Sequence, residues 1–197
     1  ADAAALFRDR AQLPADEPDG EAVQQAIEQL CARLDGLPLA IELAAARTSV
    51  LSPQTLLSRL TERLDAFGPG PRDAPTRQRT VRATMQWSHD LLEPDEQRLF
   101  RRLAVFAGGF DLEAVEDVCA GDGLERSEVV DVLARLVEKS LVTAVDAALQ
   151  RRYRLLETLR QYGREQLVRL REQDEAAARL DTWARRLTER LETDMRT

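Results

Sequence analysis

Residues 34–47, Leu-Asp-Gly-Leu-Pro-Leu-Ala-Ile-Glu-Leu-Ala-Ala-Ala-Arg, constrain the fold more than any other stretch of the chain. Gly36 follows an apolar periodic run and reads as a helix stop, and Pro38 stands where its missing N–H does no harm, in the first turn of a new helix. That new helix is apolar on nearly every side, with Glu42 its one clearly polar position before Arg47. A helix of this kind has to be covered all round. The pattern therefore predicts a helical bundle with residues 38–48 at its centre.

The flanking segments can supply the cover. Residues 2–12 suit a short helix, and Val23, Ala26, Ile27, Leu30, Cys31 and Leu34 follow the 3, 4, 3 spacing of an amphipathic helix over 21–34. Ser52-Pro53 opens a further helix carrying Leu56, Leu57, Leu60 and Leu64. Residues 67–75, Phe-Gly-Pro-Gly-Pro-Arg-Asp-Ala-Pro, suit neither a helix nor a central strand. They read as a linker, so 1–66 form a first helical domain.

A second domain, 76–172, follows. Helices are expected over 80–92, from Pro94, after Asp111, and over 126–139, and then two β-like runs, 141–145 and 152–156, before a helix over 157–171. Helices followed by one hairpin are the order of a winged helix. The Trp183 and Leu stripe of 174–192 completes a fold class that is mainly α: a helical bundle, a winged-helix domain with a small β-hairpin, then C-terminal helices. Residues 173–197 are expected to begin a further helical domain, and that stripe to meet either a partner or this chain.

Charge and composition narrow the chemistry. With 28 Lys and Arg against 35 Asp and Glu, the net charge of −7 argues against the whole chain binding nucleic acid electrostatically. Cys31 and Cys119 lack metal or disulfide spacing, and no run approaches a membrane span, so a cytoplasmic protein without bound metal or membrane partner is expected. His89 is the single histidine, with no Ser, Cys or carboxylate constellation beside it, and reads as a packing or helix-surface residue, as Trp87 and Trp183 read as core or interface. No catalytic residue is indicated. Because residue 1 is Ala and the last helix lacks a stop signal, the chain reads as a piece of a longer protein.

Five ordered segments resemble one family. Cys31 to Ala45 resembles the GLPL motif of the NB-ARC type of signal-transduction ATPases with numerous domains. Thr84 to Leu92 resembles that family's leucine-Ser-Tyr-Asp-leucine segment, Phe100 to Phe110 the succeeding helix and turn, and Leu136 to Val142 the step before the wing. Tyr153 to Leu167 lies where the family carries its Met-His-Asp motif, and the wording is closest to bacterial transcriptional regulators of the LuxR-type and AfsR-like branches.

The resemblance implies a nucleotide switch that controls transcription in a signal-responsive, ATP-binding parent. There Gly36, Leu37, Pro38 and Leu39 would form the adenine side of a pocket completed by the parent's P-loop core, with Pro38 against the base, while C-terminal helical repeats follow. Two departures qualify it. This chain has no glycine-rich P-loop with its lysine and no acidic pair for magnesium, so it is expected to hold no cofactor and to catalyse nothing alone, ATP or ADP belonging to the parent. At the Met-His-Asp position stand Leu155, Leu156 and Glu157.

A winged helix can also bind DNA through its third helix. Here 125–139 carries Glu125, Glu128, Asp131 and Glu138 against Arg126, Arg135 and Lys139, and the denser basic run is Arg151, Arg152, Arg154, Arg160, Arg164, Arg169 and Arg171. The expectation is a regulatory module without direct DNA contact. The alternatives are a DNA-binding winged helix in its own right, or a scaffold acting through its final helix.

Overall fold

The structure is a computed structural model and describes residues 3–13, 20–66, 76–146 and 151–194. The expected linker, 67–75, lies outside the described residues. The chain divides into two compact units, Ala1–Leu91 and Leu92–Thr197.

The first unit holds α1 (Ala3–Ala11), α2 (Gly20–Arg33), α3 (Pro38–Ala45), α4 (Pro53–Ala66) and α5 (Thr76–Asp90). Proline occupies the first turn of α3, and a single 3-10 turn, Ala46–Ser49, prolongs that helix. As its sequence requires, α3 is enclosed: Ala40, Ile41, Leu43, Ala44 and Ala45 are buried. Ala40, Ile41, Ala44 and Ala45 pack with Phe7 of α1, Ile27 and Leu30 of α2, Leu56 and Leu60 of α4, and Trp87 of α5 in one cluster. Each fully buried side chain of this size contributes about 1.5–3 kcal/mol.

The unit boundary differs from the one read in the sequence, where α5 was placed with the second domain. Met85 and Trp87 are apolar and buried on α5, Thr84 and Ser88 lie on the same buried side, and this face packs on α3 and α4. Arg47, itself buried, donates through Nη2 to the Ser88 carbonyl at 2.8 Å and fastens α5 to the end of α3.

The second unit is the winged helix with two helices behind it. It comprises α6 (Pro94–Leu103), α7 (Leu112–Cys119), a 3-10 turn (Arg126–Glu128) running into α8 (Val129–Glu138), β1 (Thr143–Asp146), β2 (Arg151–Arg154), α9 (Glu157–Leu170) and α10 (Gln173–Asp194). The strands pair antiparallel with Ala144 opposite Tyr153, and Phe110 exchanges both backbone bonds with Tyr153 to add a third short rung. Pairing starts at Thr143, not at Leu141, because the N–H groups of Leu141 and Val142 still bond the Leu136 carbonyl at the end of α8.

Close contact sets α9 on α6. A Cβ at Gly163 would lie 2.8 Å from the Ala104 Cβ, so only glycine permits that approach. The stripe of α10 packs against this chain: Trp183 meets Phe106 edge-on at 6.3 Å, and the helix rests on α7 and α9. Cys31 and Cys119 are buried, and burial pushes the Cys119 thiol up to about 12.

Candidate functional site

At the Gly36–Leu39 step, α2 ends in a paired left-handed turn. The Asp35 N–H bonds the Ala32 carbonyl at 3.1 Å and the Gly36 N–H reaches back to Cys31 at 3.0 Å, with φ of +52° and +62° at the two residues. The Asp35 carboxylate accepts from the Thr80 hydroxyl at 2.6 Å, which ties the turn to α5. Leu37 then takes an extended conformation as the N-cap of α3, and its side chain offers no capping oxygen. Pro38 is exposed, and Leu37 and Leu39 are half-buried. The step thus presents a rigid ring and uncapped first-turn backbone at an exposed helix start.

Leu155, Leu156 and Glu157 sit in the second unit at the start of α9. Leu156 is the N-cap residue, and Glu157 pairs along its own helix with Arg160 at 2.7 Å. Leu155 and Leu156 are half-buried side chains without titratable groups.

The third helix of the winged helix is organised by a carboxylate that its own sequence does not contain. Glu96, fully buried on α6, accepts from the backbone N–H of Glu93 at 2.9 Å, from Arg135 Nε at 3.0 Å, and from Lys139 Nζ. Burial alone would raise the Glu96 carboxyl, but the Lys139 hydrogen bond, the Glu93 N–H and Arg135 outweigh it and hold the group below its ordinary value of 4.5. Arg135 also pairs with Asp95 at 2.5 Å. Arg126 pairs with Glu116 at 2.9 Å and with Asp117.

All three cations of residues 125–139 therefore engage carboxylates on α6 or α7. Glu125, Glu128, Asp131 and Glu138 remain on the exposed side, around Val130, which is 44% exposed. An α-helix laid in the major groove needs donors aimed at base edges and tolerates few carboxylates beside phosphate. This helix presents the reverse.

A second arrangement holds the turn between α7 and α8. Arg102 donates to the carbonyls of Cys119 and Gly121, each at 2.7 Å, and Arg98 to that of Gly123 at 2.7 Å. Arg179 of α10 reaches the Ala120 carbonyl and the Asp122 carboxylate. Gly121 and Gly123 take φ of +98° and +84°, which turns these carbonyls toward the guanidinium groups. Behind them Arg101 binds Glu172 in a fork at 2.5 and 2.8 Å, and that hydrogen bond holds the Glu172 carboxyl below its ordinary range.

Neither arrangement was read from the sequence. In the sequence Glu96 is one of the acids in the first turn of a helix, favourable against its dipole, and the structure makes it the N3 residue of a capping box opened by Glu93. The available signal was Arg135 and Lys139, spaced one helical turn apart on a helix that must pack on α6. His89 is buried, with Nδ1 3.9 Å from the Asp90 carboxylate. Among the described residues no cluster of His, Cys, Asp and Glu could hold a metal ion, and no helix is long and apolar enough to cross a membrane.

Comparison with known proteins agrees with this architecture. Residues 92–168 match the winged helix-turn-helix domain family, a span that begins at the boundary between the two units. A Mycobacterium tuberculosis protein named "Putative HTH-type transcriptional regulator Rv0890c" is 51% identical over 142 residues, which is 72% of this chain and 16% of that protein. A second protein of that species, "Uncharacterized protein Rv0894", is 42% identical over 180 residues, 90% of this chain and 46% of its own length. The chain thus spans about a sixth of the regulator's length and less than half of the second relative's. Neither the family nor the relatives' names specify a nucleotide-switch ATPase or a LuxR-type protein. Residues 92–168 of the second unit thus carry a winged helix-turn-helix domain.

Proposed function

We propose that this chain is a regulatory segment of a larger transcriptional regulator, in which the winged helix works by engaging other protein domains and α8 does not read bases. One observation carries this reading: Arg126, Arg135 and Lys139 are committed to carboxylates within the unit while the acids of the same helix face outward. The net charge of −7 adds to the repulsion that a phosphate backbone would meet.

A titration of labelled duplex DNA with the chain at two salt concentrations tests it. The expected result is weak binding with little salt dependence. A logarithmic slope corresponding to several released counterions, about −0.9 for each phosphate contacted, would overturn it.

A second reading, direct DNA binding, is favoured by the family match of residues 92–168 and by the exposed arginines Arg151 and Arg154 of β2. On that reading the wing, not α8, meets phosphate, and replacing both arginines with alanine abolishes a salt-dependent interaction that the wild-type chain shows.

In the larger regulator we assign Gly36, Leu37, Pro38 and Leu39 to the adenine side of a nucleotide pocket that other domains complete. The exposed Pro38 ring beside uncapped backbone supports this assignment. Pro38→Ala in a full-length regulator is expected to weaken ADP binding, and unchanged affinity would remove the assignment.

A further inference from the structure

Two exposed faces of the second unit carry opposite charge. On α8, Val130, Asp131, Ala134 and Glu138 are all exposed and fall within about 100° of the helix circumference, opposite the buried Val129, Val132 and Leu136. Among the described residues neither Asp131 nor Glu138 pairs with a cation, since Arg126, Arg135 and Lys139 are taken up by carboxylates of α6 and α7. On the wing, the register sets Thr143 opposite Arg154 and Val145 opposite Arg152, and directly opposed residues share a face of the hairpin. All four are exposed, whereas Ala144 and Tyr153 on the other face are half-buried. Arg154 has no carboxylate partner among the described residues, and Arg152 lies 4.0 Å from Asp111 while it donates to the Gly109 carbonyl.

Each face is a small apolar centre flanked by charges of one sign. Val130 and Val145, each 44% exposed, are the centres, with acid beside the first and base beside the second. On the reading that α8 engages protein and not bases, on which this rests, we propose that the α8 face takes the wing of a second copy of this chain. Val145 then meets Val130 and Ala134, and Arg152 and Arg154 meet Asp131 and Glu138. Asp131 and Glu138 stand seven residues apart, about 10 Å along the helix. Arg152 and Arg154 stand two apart, about 7 Å along the strand, and their long side chains span the difference. The two faces differ, so the contact is heterologous, and one copy can offer its wing while it accepts another's. Exposed ion pairs contribute little singly, so the association is weak and salt-dependent, and its specificity comes from the cost of setting like charges together. The acids that attract a wing are also those that repel a phosphate backbone from α8.

Sedimentation equilibrium of the whole chain at low salt, from about 10 µM to about 1 mM, reads the association. The expected result is a mass that rises above the monomer with concentration and falls back as salt is added. Asp131→Arg with Glu138→Arg reverses the α8 face, and Val145→Glu with Arg154→Glu reverses the wing. The four replaced side chains are exposed and make no hydrogen bond or ion pair among the described residues. Each double variant alone should associate at least about tenfold more weakly than the wild type. An equimolar mixture of the two should regain the association, because the reversed α8 then meets the reversed wing while native α8 meets native wing. Both variants stay net negative, so bulk attraction does not account for such a recovery. A monomer at every concentration, association indifferent to both reversals, or no recovery on mixing would overturn the proposal. A monomeric chain that also binds no duplex DNA sinks self-association and leaves α8 as a face for other domains, whereas salt-dependent duplex binding overturns that underlying reading itself.

Discussion

The two units solve the same packing problem with opposite chemistry. In the first, α3 is a nearly bare apolar rod, and its neighbours cover it with Phe7, Ile27, Leu30, Leu56 and Trp87. In the second, the helices are registered by buried or half-buried charges: Glu96 joins α6 to α8, Arg101 joins α6 to Glu172, and Arg102, Arg98 and Arg179 hold the turn before α8. Apolar burial is non-directional and gives stability. Charged hydrogen bonds fix direction, and a cation used in this way has its donors taken up by carboxylates or carbonyls. A helix-turn-helix stabilised by its own basic residues has fewer left for phosphate.

Variants can break this contrast, and each unit has its own reporter in Trp87 or Trp183. The largest effect is expected in the first unit, where Phe7→Ala should cost about 4 kcal/mol in a denaturant titration followed through Trp87. Glu96→Gln should destabilise the second unit by about 3 kcal/mol, since it removes the shared acceptor of Arg135 and Lys139, with partial relief because both cations can rehydrate. A loss as large in the first unit would contradict the division. Gly163→Ala should cost about 2 kcal/mol through overpacking against Ala104, read from the Trp183 transition.

The smallest effect concerns acid. The Glu96 and Glu172 carboxyls are held below their ordinary value of 4.5 in the folded state. Their stabilisation is therefore fully present above about pH 4.5 and is lost as pH falls through the lower folded values. The melting temperature of the second unit should fall below about pH 4.5, and Glu96→Gln should flatten that dependence. An identical acid profile in wild type and variant would remove Glu96 as its source.

Much of this was legible in the residues. Proline in the first turn marks the starts of α3, α4 and α6, and apolar spacing placed α2, α7, α8 and α9 within a few positions of where they lie. The winged-helix order followed from helices succeeded by one hairpin. The side on which α5 packs was not legible, because an amphipathic helix next to a Pro- and Gly-rich segment carries no statement of which core it joins. Glu96 was hidden for a similar reason. A carboxylate in the first turn of a helix has a sufficient local role as a cap, and only the fold brings Arg135 and Lys139 to it. For the Gly36–Leu39 step, the sequence predicted the helix junction, and the structure adds the Asp35 to Thr80 bond that braces it.

The central claim is that α8 carries fold rather than base recognition. Amide and methyl NMR spectra of the whole chain, recorded at low salt during titration with duplex DNA, test it most directly. The account predicts no saturable shift at Val130, Asp131 or Ala134, with any perturbation confined to Arg151 and Arg154 of the wing. Saturable shifts along the exposed face of α8 would contradict it.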